Sequence, residues 1–267
     1  SIISIGEGAF FGCRNLKTAK LSKSLVTMGG RAFGECDSLT SIEIPNSVTS
    51  IGGGAFWRCS SLTSIEIPSS VISIGFFSNL PPYIGAFEEC SNLKTVTFGE
   101  NSLLTSIGKY AFLGCSSLTN IEIPNSVTSI GEEAFSGCTS LKDFRIEDGY
   151  IPLELGCPLF GACPLETIYL GRKLSYDNSE NPDNLLFNDM ITLKTLTIGS
   201  FVTEIPEKTF YDCINLESIY MRGVPPIISD DTFSNTSYYV ATLYVPEGTL
   251  AFYQTANVWK NFWNIQE

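Results

Sequence analysis

Leu39-Thr40-Ser41-Ile42-Glu43-Ile44-Pro45-Asn46-Ser47-Val48-Thr49-Ser50-Ile51-Gly52-Gly53-Gly54-Ala55-Phe56-Trp57-Arg58-Cys59 is the stretch that decides the architecture. The same order of residue types returns at Leu118, Ile121, Ile123, Pro124, Val127, Ile130, Gly131, Ala134, Phe135 and Cys138. Cysteine marks the period. Cys13, Cys36 and Cys59 are 23 residues apart, and so are Cys115 and Cys138. Cys90 and Cys163 rejoin the grid after short insertions, and Met190, Cys213 and Thr236 continue it. Each grid point follows a Phe by three residues. A period near 23 residues predicts coils that stack into a solenoid. Weaker copies at Leu93/Val96, Leu141/Phe144, Leu165/Ile168, Leu193/Leu196 and Leu216/Ile219 bring the count to ten coils, the first and last incomplete.

The Ile-x-Ile alternation reads as a short strand, because successive side chains on a strand face opposite ways. Pro45, Pro68 and Pro124 end that strand, since proline has no N–H for the ladder. The Val-x-x-Ile segment turns the chain and can form a second short strand. Gly-x-x-Ala-Phe reads as a brief helical turn that tucks Phe inward. The fold class is therefore an α/β repeat solenoid of about ten coils of ~23 residues, with residues 1–245 in the coils. A single coil buries too few side chains to fold alone and depends on its neighbours. Residues 246–267 depart from the repeat. Leu250, Tyr253, Trp259, Phe262 and Trp263 predict a short amphipathic helix and an aromatic plug, a cap within the same domain that covers the last sheet edge and open core.

Composition excludes several functions. The net charge of −12 opposes binding to a phosphate backbone or to anionic lipid. The chain has no histidine, and so lacks the usual neutral-pH acid/base and the commonest metal ligand. No apolar run is long enough to span a bilayer. Ser1 opens inside a repeat with no signal peptide ahead of it, which reads as a processing or cloning boundary. Neither nucleophile elbow, phosphate loop nor metalloprotease motif occurs, so no catalytic residue, cofactor or metal is expected. Glu88-Glu89 and Glu132-Glu133 are neighbours read as solvated.

The nine cysteines invite metal or disulfide readings. One cysteine per coil makes a column along the axis, whereas a structural zinc site gathers four ligands about one point. Met190 and Thr236 stand at two grid points, which a small buried packing site tolerates and a ligand set does not. Buried free thiols are the expectation. Cys157 lies off the grid, six residues before Cys163, and a local disulfide between the two stays open. Two departures from the period read as exposed loops: eight extra residues between Cys59 and Cys90, containing Phe76–Tyr83, and the polar stretch Gly171–Asp183.

The repeat resembles that of the bacterial BspA-like leucine-rich repeat family, in phrases such as Leu62-Thr-Ser-Ile-Glu-Ile-Pro-Ser-Ser-Val-Ile-Ser-Ile-Gly75 and in the terminal Leu243-Tyr-Val-Pro-Glu-Gly-Thr. The resemblance covers almost the whole chain. It implies a leucine-rich repeat solenoid with strands on the concave face, an extracellular cell-surface location, and adhesion to protein partners on host or bacterial surfaces. The resulting expectation is a non-enzymatic, adhesin-like protein binder. A carbohydrate-binding surface protein and a structural spacer are the alternatives; salt dependence and a glycan array separate the first two, and a spacer predicts no partner in a pull-down.

Alternation along the strands also names the working surface. One outward row is Lys20, Glu43, Glu66, Thr97, Glu122, Arg145, Tyr169, Thr197, Tyr220 and Tyr244; its companion is Thr18, Ser41, Ser64, Thr95, Asn120, Asp143, Thr167, Thr195, Ser218 and Thr242. The first row is acidic early and tyrosine-rich late. Tyrosine and arginine are enriched at binding hot spots. Glu43, Glu66, Glu122, Arg145, Tyr169, Tyr220 and Tyr244 are therefore the candidate partner-binding residues, with stabilising cross-strand tyrosine pairs as the competing explanation.

Overall fold

The computed structural model describes residues 2–75, 84–176 and 186–267. The insertion Phe76–Tyr83 and residues 177–183 of the second loop lie outside the described residues. The chain is a parallel-strand solenoid of about eleven coils. It divides into two compact units, residues 1–141 with 155–163, and residues 142–154 with 164–267.

In the first unit the Val-x-x-Ile segments do form strands. Ser4–Ile5, Thr27–Met28, Ser50–Ile51, Ser73–Ile74, Ser106–Ile107 and Ser129–Ile130 pair in parallel, each with its counterpart one coil on. The Ile-x-Ile strands stand on the other side of the coil. Ser64–Ile67 pairs with Thr95–Phe98 over four residues, whereas Thr18–Ala19 and Ser41–Ile42 pair over two. Ile44, Ile67 and Ile123 point inward and are buried. Gly52 and Gly131 owe their identity to close coil contact. A Cβ on Gly52 would lie 2.6 Å from the backbone of Gly29, and one on Gly131 would lie 2.4 Å from the Lys109 nitrogen.

The expected helical turn at Gly-x-x-Ala-Phe is not helical. Its amides alternate between two acceptors. Ala32, Gly34 and Cys36 donate three residues back within their coil, while Arg31, Phe33 and Glu35 donate to Gly53, Ala55 and Trp57 of the next. Arg31 and Glu35, on either side of Phe33, take φ of 52° and 55°. Cross-coil hydrogen bonds of 2.7–3.0 Å thus replace the i−4 bonds of a helix. The phenylalanines are tucked inward as expected, and they stack face to face. Ring centroids from Phe10 through Phe33, Phe56, Phe87, Phe112, Phe135 and Phe160 are 5.0–5.8 Å apart.

The cysteine grid has a hydrogen-bonding reason. Cys59 donates its thiol to the Phe33 carbonyl at 3.1 Å, and Cys90 to Phe56 at 3.0 Å. Cys36, Cys115, Cys138, Cys163 and Cys213 repeat the contact one coil back. The same carbonyl accepts the amide of its own coil's cysteine, as Cys36 to Phe33. A buried carbonyl has two lone pairs to satisfy, and the thiol takes the second while filling little volume. All nine cysteines are free thiols. Three grid positions depart from the expectation of burial: Cys163 is half-buried, and two others are exposed. Cys13 is exposed on the first coil. Thr236 is exposed because it lies on the helix Asn235–Val240; the neighbouring Ser234 and Ser237 turn inward instead and share a hydrogen bond. Iodoacetamide at about pH 8 should modify Cys13 rapidly and leave Cys59, Cys90 and Cys115 untouched until the chain unfolds. Peptide mass spectrometry reads this directly, and labelling of Cys59 as fast as Cys13 would contradict the buried column.

In the second unit the ladder is unbroken. Asp143–Ile146, Thr167–Leu170, Thr195–Ile198, Ser218–Met221, Thr242–Tyr244 and Asn264–Gln266 pair in parallel and in register. The last strand comes from the cap. Tyr253, Trp259 and Phe262 are buried, and Trp259 and Phe262 meet the Phe233 ring edge-on at 5.9 and 5.7 Å. Their polar ends are satisfied: the Tyr253 hydroxyl donates to the Gly223 carbonyl and the Trp259 indole N–H to that of Pro226, both at 2.7 Å. Trp263 does not join this plug. It is 78% exposed, because it sits one residue before the strand Asn264–Gln266, where side chains flank the ladder rather than enter the core.

Candidate partner-binding surface

A hydrogen-bonded ladder holds the outward rows of the second unit in place, whereas the first four outward strands of the first unit pair only two by two. In the first unit Glu43, Glu66 and Glu122 are exposed, as are Ser41, Ser64 and Asn120 beside them. In the second unit the register brings Arg145 opposite Tyr169, Tyr169 opposite Thr197, Thr197 opposite Tyr220, and Tyr220 opposite Tyr244. The structure thus assembles Arg145, Tyr169, Tyr220 and Tyr244 into one row within one compact unit.

That row is rigid. The Arg145 guanidinium lies 3.7 Å from the Tyr169 ring centroid, a cation–π contact worth about 0.5–1 kcal/mol at an exposed site. The Tyr169 hydroxyl donates to Asp148 at 2.7 Å. Burial, aided by this bond and the Asp148 charge, raises the Tyr169 phenol above its ordinary pKa. Tyr220 and Tyr244 stack at 4.7 Å with an interplanar angle of 8°. The rings cover one face of each other, and Tyr220 stays exposed while Tyr244 is half-buried. Asp143, Thr195, Ser218 and Thr242 form the polar floor alongside.

The cap extends both rows. Asn264 stands opposite Thr242 and donates to its hydroxyl at 2.8 Å; Gln266 stands opposite Tyr244 and donates to Asn264 at 2.9 Å. Sequence reasoning missed these two because it set residues 246–267 apart from the coils. The Asn264-Ile265-Gln266 alternation was the available signal. It also missed the residues that precede each strand, Lys142, Glu166, Lys194 and Glu217, which alternate in sign. Lys142 and Glu166 pair at 2.7 Å, and the lysine holds the Glu166 carboxyl below the usual carboxylate range.

A family model for the BspA type leucine rich repeat region matches residues 1–80, 83–181 and 175–259, with six copies. Among solved structures, a leucine rich cell surface protein from Faecalibacterium prausnitzii A2-165 aligns at 24% identity over 99% of this chain and 76% of its own, with a TM-score of 0.49. A leucine rich repeat protein from T. pallidum aligns at 21% identity over 91% of this chain and 83% of its own, with a TM-score of 0.43. One from Bacteroides ovatus aligns at 26% identity over 94% of this chain and 68% of its own, with a TM-score of 0.36. No curated protein shows significant sequence similarity to the chain. With the repeat model matched along nearly its full length, and each coil built on the same inward Leu, Ile, Phe and Cys positions, the chain belongs to the BspA-type leucine-rich repeat family.

Proposed function

We propose that this chain is a non-enzymatic cell-surface scaffold that binds a protein partner in an adhesin-like role, through the outward face of the second unit. The observation that carries the reading is the Arg145–Tyr169–Thr197–Tyr220–Tyr244 row on an unbroken ladder. Tyrosine supplies contact area on two side-chain torsions, and the Arg145–Tyr169 and Tyr220–Tyr244 contacts restrain these side chains, which reduces the entropy lost on association. The face is open and hydroxyl-rich. No helix among the described residues is long and apolar enough to cross a membrane.

The ring geometry favours a protein over a glycan at this row. A sugar stacks on an open aromatic face, but Tyr220 and Tyr244 cover one another and Arg145 covers Tyr169. Edges and hydroxyls suit peptide groups and side chains. The Tyr220→Ala/Tyr244→Ala double variant should weaken capture of the partner at least about tenfold, the scale of a hot-spot pair. Its unfolding free energy should fall by no more than about 3 kcal/mol, the stack plus the partial burial of the two rings, so that the fold is retained. Quantitative pull-downs from host and bacterial surface extracts, run in parallel with both forms, decide it. Equal recovery of the same partner by the double variant would overturn the reading, and a hit on a glycan array lost in that variant would replace protein by sugar.

A further inference from the structure

A cleft of about 740 Å³ opens on the outward side of the first two coils, lined by Thr18, Lys20, Lys23, Ser41, Glu43 and Asn46 among others. Its size falls in the range of small-ligand sites. The cleft lies where the pairing of Thr18–Ala19 with Ser41–Ile42 ends. Ser64–Ile67 and Thr95–Phe98 stay paired over four residues, but the first two coils part after Ala19 and Ile42. Ala19 takes the inward place that Ile42, Ile65 and Val96 hold in the following coils. With a methyl group in place of a branched side chain, little draws Lys20 and Leu21 against the next coil.

The charge in this cleft runs against the rest of the molecule. The chain carries a net charge of −12, yet Lys17, Lys20 and Lys23 are exposed within one coil. Arg14, Arg58 and Lys109 in the same unit are held by carboxylates, whereas these three ammonium groups, like Arg31 and Lys94 elsewhere in the unit, have no ion-pair partner among the described residues. Lys20 lies across the opening from Glu43, where continued pairing would have set them opposite each other.

We infer that this cleft binds an extended peptide segment bearing isolated carboxylates, with Lys20 and Lys23 receiving a carboxylate and Glu43 accepting the peptide's N–H groups. Thr18 and Ser41 add hydroxyl donors, and Asn46 offers both a donor and an acceptor to the peptide backbone. A continuous polyanion fits less well. Glu43 stands in the cleft, and Glu66 and Glu122 follow it in the outward row, so a sulfated glycan or nucleic acid that meets the lysines meets repulsion directly beyond. Carboxylates spaced by neutral backbone avoid that repulsion.

The inference is independent of the tyrosine row, and its test keeps the two apart. The intact chain, labelled with ¹⁵N, is titrated with a capped five-residue peptide alternating glycine and aspartate, up to about 10 mM, the range expected for a few solvent-exposed charge contacts. Amides of residues 18–23, 41–44, 46 and 47 should shift in a saturable manner. Affinity should fall at least about fivefold in the Lys20→Gln/Lys23→Gln double variant, and again on raising salt from about 0.05 to 0.5 M. Both lysines are exposed, so the variant's melting temperature should stay unchanged and exclude misfolding. Tyr220→Ala/Tyr244→Ala should bind the peptide normally. Three results would each overturn the assignment: an asparagine-for-aspartate peptide that binds equally well, no shifts at residues 18–23, or a double variant of undiminished affinity. A heparin-derived hexasaccharide that binds more tightly than the peptide and is lost in the same variant would overturn the choice of a peptide.

Discussion

Phe135→Ala should destabilise the protein by about 3–5 kcal/mol, as buried aromatic truncations do. Phe135 has no solvent exposure. Its ring lies between Phe112 at 5.6 Å and Phe160 at 5.8 Å, so one truncation removes two stacking contacts and leaves a void with aromatic walls. The backbone around it cannot collapse to fill that void. The Phe135 amide donates to Leu159 in the next coil, its carbonyl accepts the Cys163 thiol, and the Phe112 amide donates to Ala134. For a chain of this size the loss corresponds to a fall in Tm of roughly 10 °C. Nearest-neighbour coupling further predicts that hydrogen-exchange protection drops first at the amides of Phe112 and Phe135. A melt unmoved by the substitution would mean that the stack contributes nothing.

Raising the pH from 9 to 11 should cost the protein several kcal/mol. Burial pushes the Cys36 thiol up to about 11 and the Cys90 and Cys213 thiols up to about 12; Cys59 and Cys115 move the same way. An unfolded thiol releases its proton near pH 8.5–9. Folded thiols therefore hold protons that unfolded ones have lost. Their contribution is complete below about pH 9 and disappears as the pH rises toward their folded values, at about 1.4 kcal/mol per thiol per pH unit. Three such groups approach the whole stability of an ordinary domain. Burial of Tyr238, raised to about 12, adds to the loss. Denaturant titrations in reducing buffer at pH 8, 9, 10 and 11 check the slope. The Cys90→Ala/Cys213→Ala variant should be weaker at pH 8, where two thiol–carbonyl contacts are gone, yet lose less on going to pH 11. Parallel alkaline slopes for the two proteins would show that the column does not titrate in this way.

The inward residues were legible because periodicity and alternation depend only on local geometry. Leu39, Ile42, Ile44, Val48, Ile51, Ala55, Phe56 and Cys59 are all buried, as their spacing predicts. The backbone at Ala55-Phe56 was misread as helical because every second amide, such as that of Phe56, donates to the next coil, and no local window contains that acceptor. Trp263 was misplaced for a related reason. Apolarity put it in the plug, but the strand Asn264–Gln266 carries it onto the flank.

The candidate surface divides in the same way. That Tyr169, Tyr220 and Tyr244 face outward followed from alternation. That Tyr220 and Tyr244 stack while Arg145 covers Tyr169 did not, since ring tilt depends on which rows lie side by side. The exposed Lys20 and Lys23 can be read from the chain, but the cleft between them and Glu43 depends on where two coils part.

The order of residues alone determined that this protein is a stack of coils and which side chains each coil turns inward, because a fixed period places equivalent residues at equivalent points on every turn. Only the tertiary structure decided which groups meet across coils: thiol with phenylalanine carbonyl, ring with ring, and, at one opening, lysine without a partner. Those contacts join residues some 21 to 34 positions apart, and spacing in sequence fixes their row but not their geometry.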